Sequence, residues 1–160
     1  MNAKTVACVV ALMVALTGGA SAAPIVWTGT TDGDWAKTGN WSPTQIPTFN
    51  DDLTFTSSPN TAILVRDTFA GTMTFDGPDS FSFSVGGTGS GGGTQYVNNG
   101  ITVNAGDLTF NAGFRPHTGT FSVVNNGAGL LDFNGNSSFM ADINVVANVT
   151  FDGSGNVEIQ

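Results

Sequence analysis

From residue 53 onward the side chains alternate between apolar and polar, and few folds accept that pattern. Leu53-Thr54-Phe55, Met73-Thr74-Phe75, Leu108-Thr109-Phe110, Leu131-Asp132-Phe133 and Val149-Thr150-Phe151 share one form, and Phe81-Ser82-Phe83-Ser84-Val85, Ile101-Thr102-Val103 and Phe121-Ser122-Val123 continue it. A period of two puts every second side chain on one face of an extended strand, so each segment is a strand with one buried and one wet face. Asn-Ala-Gly, Asp-Gly, Asn-Gly and Asn-Asn-Gly separate the segments. These residues accept positive φ and favour tight turns. The 22 glycines, with the abundant Asn and Thr, disfavour helix. The 12 phenylalanines argue against a disordered chain. The fold class is all-β, and no segment of the mature chain reads as a helix.

The closing residues of the five apolar-polar-Phe units are Phe55, Phe75, Phe110, Phe133 and Phe151, with gaps of 20, 35, 23 and 18. A period near 20 falls in the range of solenoid repeats. An antiparallel β-sandwich with strands every 8–12 residues gives similar spacing when every second strand is read. The expectation favours a parallel β-helix, with the sandwich as the alternative. In a β-helix each rung of two or three short strands rests on the rung below, about 4.8 Å away, and successive Phe rings stack into an internal ladder. Residues 53–160 hold roughly five such rungs. The last rung would be a bare edge, which makes edge-to-edge self-association an expected property.

The first 22 residues read as a secretory signal peptide. Lys4 precedes an apolar run over residues 6–16, too short to span a membrane, and Ala20-Ser21-Ala22 places cleavage after Ala22. Cleavage removes Cys8, the only cysteine, so the mature chain has no thiol or disulfide chemistry. It also removes Lys4, which leaves Lys37, Arg66 and Arg115 against 12 acids. Such an acidic chain is a poor partner for nucleic acid, and no later segment is long and apolar enough to insert into a membrane as a helix. The expected location is secreted or cell-surface. Three sequons, at Asn40, Asn136 and Asn148, are what chance provides in a chain rich in Asn, Ser and Thr.

Residues 23–52 form a Trp-rich amino-terminal segment ahead of the rungs. Trp27, Trp35 and Trp41 are the only tryptophans. They read as a cap over the open end of the stack; the alternative is a carbohydrate-binding platform, with indole faces stacked on sugar rings. Asp32, Asp34, Asp51 and Asp52 offer oxygen ligands for calcium but lack EF-hand spacing, and solvated turn acids are the favoured reading. Gly87, Gly89 and Gly92 fit G-x-G-x-x-G, yet neither a helix nor a Lys-Ser/Thr pair follows, so residues 86–93 read as a surface loop and no cofactor is expected. His117, beside Arg115 and Pro116, is the one histidine and reads as a loop residue rather than a catalytic base. Asp132, Asp142 and Asp152 are the carboxylates available for glycoside cleavage. Their spacing of ten residues puts them on outer faces, where they serve solubility. No catalytic residue and no metal ligand is assigned.

Two stretches resemble bacterial exported proteins built from autotransporter-associated β-strand repeats. One is Trp27-Thr28-Gly29, Trp35, Gly39-Asn40-Trp41-Ser42, Pro47 and Asp51-Asp52-Leu53-Thr54-Phe55; the other runs from Tyr96-Val97-Asn98-Asn99-Gly100 through Asn104-Ala105-Gly106 to Leu108-Thr109-Phe110. The resemblance implies a right-handed parallel β-helix, used for surface display and adhesion, with no common catalytic residues. Partners would be surface glycans or other surface proteins. The family's membrane-inserting β-barrel or sorting signal is not found before Gln160, where the sequence stops within an alternating strand. The chain is therefore expected to be the amino-terminal part of a longer protein.

Overall fold

The computed structural model describes residues 24–117, 120–134 and 148–160. The proposed signal peptide with Cys8, the sequon at Asn136, and Asp142 lie outside the described residues. Alternation becomes strand along the described chain: β1 (Ile25–Trp27), β2 (Trp41–Ser42), β3 (Asp52–Phe55), β4 (Ala62–Val65), β5 (Thr68–Phe75), β6 (Phe81–Val85), β7 (Thr94–Val103), β8 (Leu108–Phe110), β9 (Gly113–Pro116), β10 (Thr120–Asn125), β11 (Leu130–Phe133), β12 (Asn148–Asp152) and β13 (Asn156–Ile159). The only helical element among the described residues is a 3-10 turn at Thr38–Asn40.

The strands form two sheets. One runs β12-β10-β7-β5-β3-β1-β2, with β9 also on β7; the other runs β13-β11-β8-β6-β4. From β3 onward the chain passes back and forth between the sheets. β5 and β7 are long enough to cross the first sheet unbroken, and the same crossing is later shared by β9 and β10. Every pairing is parallel except β1 with β2. The parallel ladder begins at β1, which pairs with β3, so it reaches back into the Trp-rich segment.

Register sets like on like. Leu53, Met73, Ile101, Val123 and Phe151 align across the first sheet. Ile63, Phe83, Phe110, Phe133 and Ile159 align across the second. The five apolar-polar-Phe units therefore do not make one column: Phe55, Phe75 and Phe151 belong to the first sheet, Phe110 and Phe133 to the second. Gaps along the true columns are 20, 28, 22 and 28 in the first sheet and 20, 27, 23 and 26 in the second. Loops of unequal length absorb the differences.

Between the sheets lies one apolar core. The expected aromatic ladder forms in two runs. Phe55 stacks on Phe75 at 4.5 Å. Phe83 stacks on Phe110 at 4.8 Å, and Phe110 on Phe133 at 5.2 Å with 5° between the ring planes. These separations match the strand spacing, so one geometry satisfies both the backbone hydrogen bonds and the ring contacts. At one corner the turn residues stack too. Asn104 donates to the Asp76 carboxylate at 3.2 Å and Asn126 donates to the Asn104 side-chain amide oxygen at 3.1 Å. This explains the Asn and Asp of the turn sequences. They bond to the turn above or below as well as shaping their own.

Phe110 has a ring on either side, and replacing it breaks both contacts. Phe110→Ala is expected to lower unfolding free energy by about 3–5 kcal/mol, against roughly 0.5 kcal/mol or less for the outward-facing neighbour Thr109→Ala, both measured by urea denaturation.

Candidate functional site

The three tryptophans are interior. Trp27, Trp35 and Trp41 are 0%, 1% and 2% exposed. Trp41 meets Trp27 and Trp35 edge to face, at 4.9 and 4.7 Å, and all three lie against Phe55. The Trp27 indole N–H donates to the Asn60 carbonyl at 2.8 Å, and that of Trp41 to the Trp35 carbonyl at 2.9 Å. None offers an indole face to solvent.

The polar residues between them hold this arrangement together. Asn40 is fully buried. Its amide oxygen accepts from the Thr31 and Asp32 backbone N–H groups, and its amide nitrogen donates to the Asp34 carbonyl at 2.8 Å and to Asp32 Oδ1 at 3.1 Å. The sequon at Asn40 is thus closed in the folded protein. Asp32 also accepts from the Asp34 N–H and pairs with Lys37. The bond from Lys37 is the main reason that the Asp32 carboxyl is lowered to about 2, helped by the Asp34 N–H and the Asn40 amide; the Lys37 amine is raised in return. Asp51 accepts from the Thr48 N–H and hydroxyl, each at 2.7 Å, and Asp52 from the Thr72 hydroxyl at 2.6 Å. Each of the four acids considered for calcium has a role in local structure, and the described residues contain no group of three or more His, Cys, Asp or Glu able to hold a metal.

The glycine-rich loop is anchored by two carboxylates. Asp34 accepts from the Thr88 N–H at 2.9 Å and from its hydroxyl, while Asp67 accepts from the Thr94 N–H at 3.1 Å. Gly87, Gly89, Gly91 and Gly93 all have positive φ, and a Cβ on Gly87 would sit 2.6 Å from Asp34 Oδ1. The glycines permit this close approach, and the strand β7 follows them directly.

The inside-out rule is broken at Asn125, which is buried beside outward Val124, at outward Leu64 on β4, and over a longer stretch of β5 and β7. Where β5 and β7 begin, Thr68 and Gln95 point inward, 7% and 0% exposed, and the Thr68 hydroxyl hydrogen-bonds the Gln95 side-chain oxygen at 2.6 Å. Their neighbours Phe69 and Tyr96 point outward and stay half-buried. Register places Phe69, Tyr96 and Arg115 side by side on β5, β7 and β9. The Phe69 and Tyr96 rings stack at 5.5 Å. Phe49, from the loop before β3, lies against Phe69 at 4.2 Å and stacks on His117 at 4.0 Å, and its carbonyl accepts from the Asn98 amide at 2.9 Å. His117 Nδ1 is buried without a partner among the described residues. Arg115 forms no ion pair among them. A shift of one residue would bury both rings and expose the polar pair; each ring forgoes part of the roughly 1.5–3 kcal/mol that full burial gives. A slip in the β5–β7 register between Ala70 and Thr72 separates this segment from the ordinary phase beyond it.

The outer aromatic column is therefore the candidate site. His117 belongs to it, as a ring packed on Phe49. Phe49, Phe69 and Tyr96 were missed by the sequence reading, although Tyr96, at the opposite parity to Val97, Ile101 and Val103, was a usable signal. Asp132, 8% exposed, lies on β11 in the second sheet and Asp152 on β12 in the first, so register does not bring them into one column. Comparison with protein-family models, curated proteins and solved structures finds no match to this chain.

The Asp32 carboxyl is lowered on folding, so its pairing stabilises the protein above the ordinary value of 3.8, and that contribution fades as pH falls towards about 2. NMR titration is expected to show Asp32 ionising near 2, and Lys37→Gln to move the midpoint up towards 3.8.

Proposed function

We propose that the chain is a secreted or cell-surface display module, a right-handed parallel β-helix without catalytic activity, of the kind its autotransporter-associated resemblance implies. The observation that carries the architectural part is the set of in-register columns spanning both sheets, with consecutive strands passing between them. The mechanism is structural. Parallel hydrogen bonds and stacked rings make a stiff scaffold, and its outward positions are free to vary for contact with a partner. Burial of Trp27, Trp35 and Trp41 supports the cap reading over the sugar platform. On this reading the partners are surface glycans or other surface proteins.

Expression of the full sequence in a bacterial host tests the address. The expected result is a chain recovered outside the cytoplasm with its amino terminus at Ala23, and retention inside when residues 1–22 are deleted. Retention of the intact sequence with residues 1–22 uncleaved would overturn the proposal.

A further inference from the structure

We propose that the outer face of β11 and β13 carries a calcium site built on Asp132 and Glu158. Among the paired residues of the described strands, these are the only two acids that register sets side by side. Like charges at adjacent positions of neighbouring strands destabilise a sheet. No Lys, Arg or His forms an ion pair with either acid among the described residues, where the one such pair is Lys37 with Asp32. A second observation is independent of the charge pairing. Asp132 is only 8% exposed although it alternates with the inward Leu131 and Phe133, and its Oδ1 is buried with no hydrogen-bond partner. A buried carboxylate oxygen that meets neither a donor nor a cation is unfavourable, and such atoms are rare in native proteins.

Neighbouring amides leave one oxygen of each carboxylate over. Asn134 donates to Asp132 Oδ2 at 2.7 Å, and Gln160 donates to Glu158 Oε1 at 3.0 Å. Each amide stands two residues beyond its acid, on the same face of the strand. Asp132 Oδ1 and Glu158 Oε2 remain, on strands about 4.8 Å apart. Thr109, next to Asp132 in register on β8, adds a hydroxyl to the same column. A donor set made only of oxygen selects hard cations over transition metals. Calcium accepts an irregular shell of oxygens completed by water, whereas magnesium demands a near-ideal octahedron. Two carboxylates make a weak site, with a Kd of about 10⁻⁴–10⁻³ M, the range of extracellular calcium modules. The site goes beyond the display reading and does not depend on it.

Thermal unfolding of the purified full chain, followed by circular dichroism in chelator-treated buffer with CaCl2 added back, tests this, with NaCl at equal ionic strength as the comparison. Calcium at about ten times its Kd, roughly 1–10 mM, is expected to raise Tm by about 3–6 °C, and NaCl is not. Asp132→Asn and Glu158→Gln should each shift the calcium response to about tenfold higher concentration, the loss of one charged ligand. In chelator, Glu158→Gln should leave Tm unchanged or raise it, because it removes one of two like charges; a residue with a merely structural role would lower it. Asp152→Asn, on the first sheet, keeps the full calcium response. Should Asp132→Asn unfold, the exposed Glu158 carries the test. No rise with calcium, an equal rise with NaCl, or an undiminished response in folded Glu158→Gln would each overturn the site.

Discussion

Parallel pairing in register is the constraint from which the rest of the structure follows. In a parallel ladder each residue lies beside the same position of the next strand, about 4.8 Å away. A favourable contact therefore repeats at every layer, and so does an unfavourable one. Phe83, Phe110 and Phe133 stack because their strands do. Asp76, Asn104 and Asn126 bond in series for the same reason. The low charge content also follows, since like charges at one register position would face each other along the column.

The constraint leaves the two ends of the stack to be treated separately. At the amino-terminal side the first sheet is finished by the antiparallel β2, and the second by the bridge of Asp34 to Leu64. Behind these, the Trp cluster covers the core, and Asn40 and Asp32 hold the connecting loop in shape. At the other side Phe151 and Ile159 continue interior columns yet are 45% and 52% exposed.

Much of this was readable in the sequence because alternation survives any choice of partner strand. The strands, the polar turns and the separate character of residues 23–52 needed only local pattern. Assignment of strands to sheets was not local. Phe75 and Phe110 look alike in sequence but sit in different sheets, and the loops between columns vary too much for one period to show. The tryptophans were ambiguous because an aromatic residue serves equally as lid or platform, and only burial distinguishes them. The outer column was hidden for a different reason. Unbroken alternation back from Phe75 and Met73 would put Phe69 inside; the register slip between Ala70 and Thr72 turns it out, and Phe49 joins it only through the loop before β3.

Engineered disulfides test the central claim most directly, since residues 23–160 contain no cysteine. Thr54, Thr74 and Thr102 are successive outward partners across β3, β5 and β7. Cysteine pairs at 54 and 74, and at 74 and 102, are expected to oxidise readily under mild conditions, because adjacent parallel strands bring their Cα atoms within bonding range. A pair at 54 and 102, two strand spacings apart, is expected to stay reduced. Rapid closure of the 54 and 102 pair, with the neighbouring pairs inert, would contradict the account.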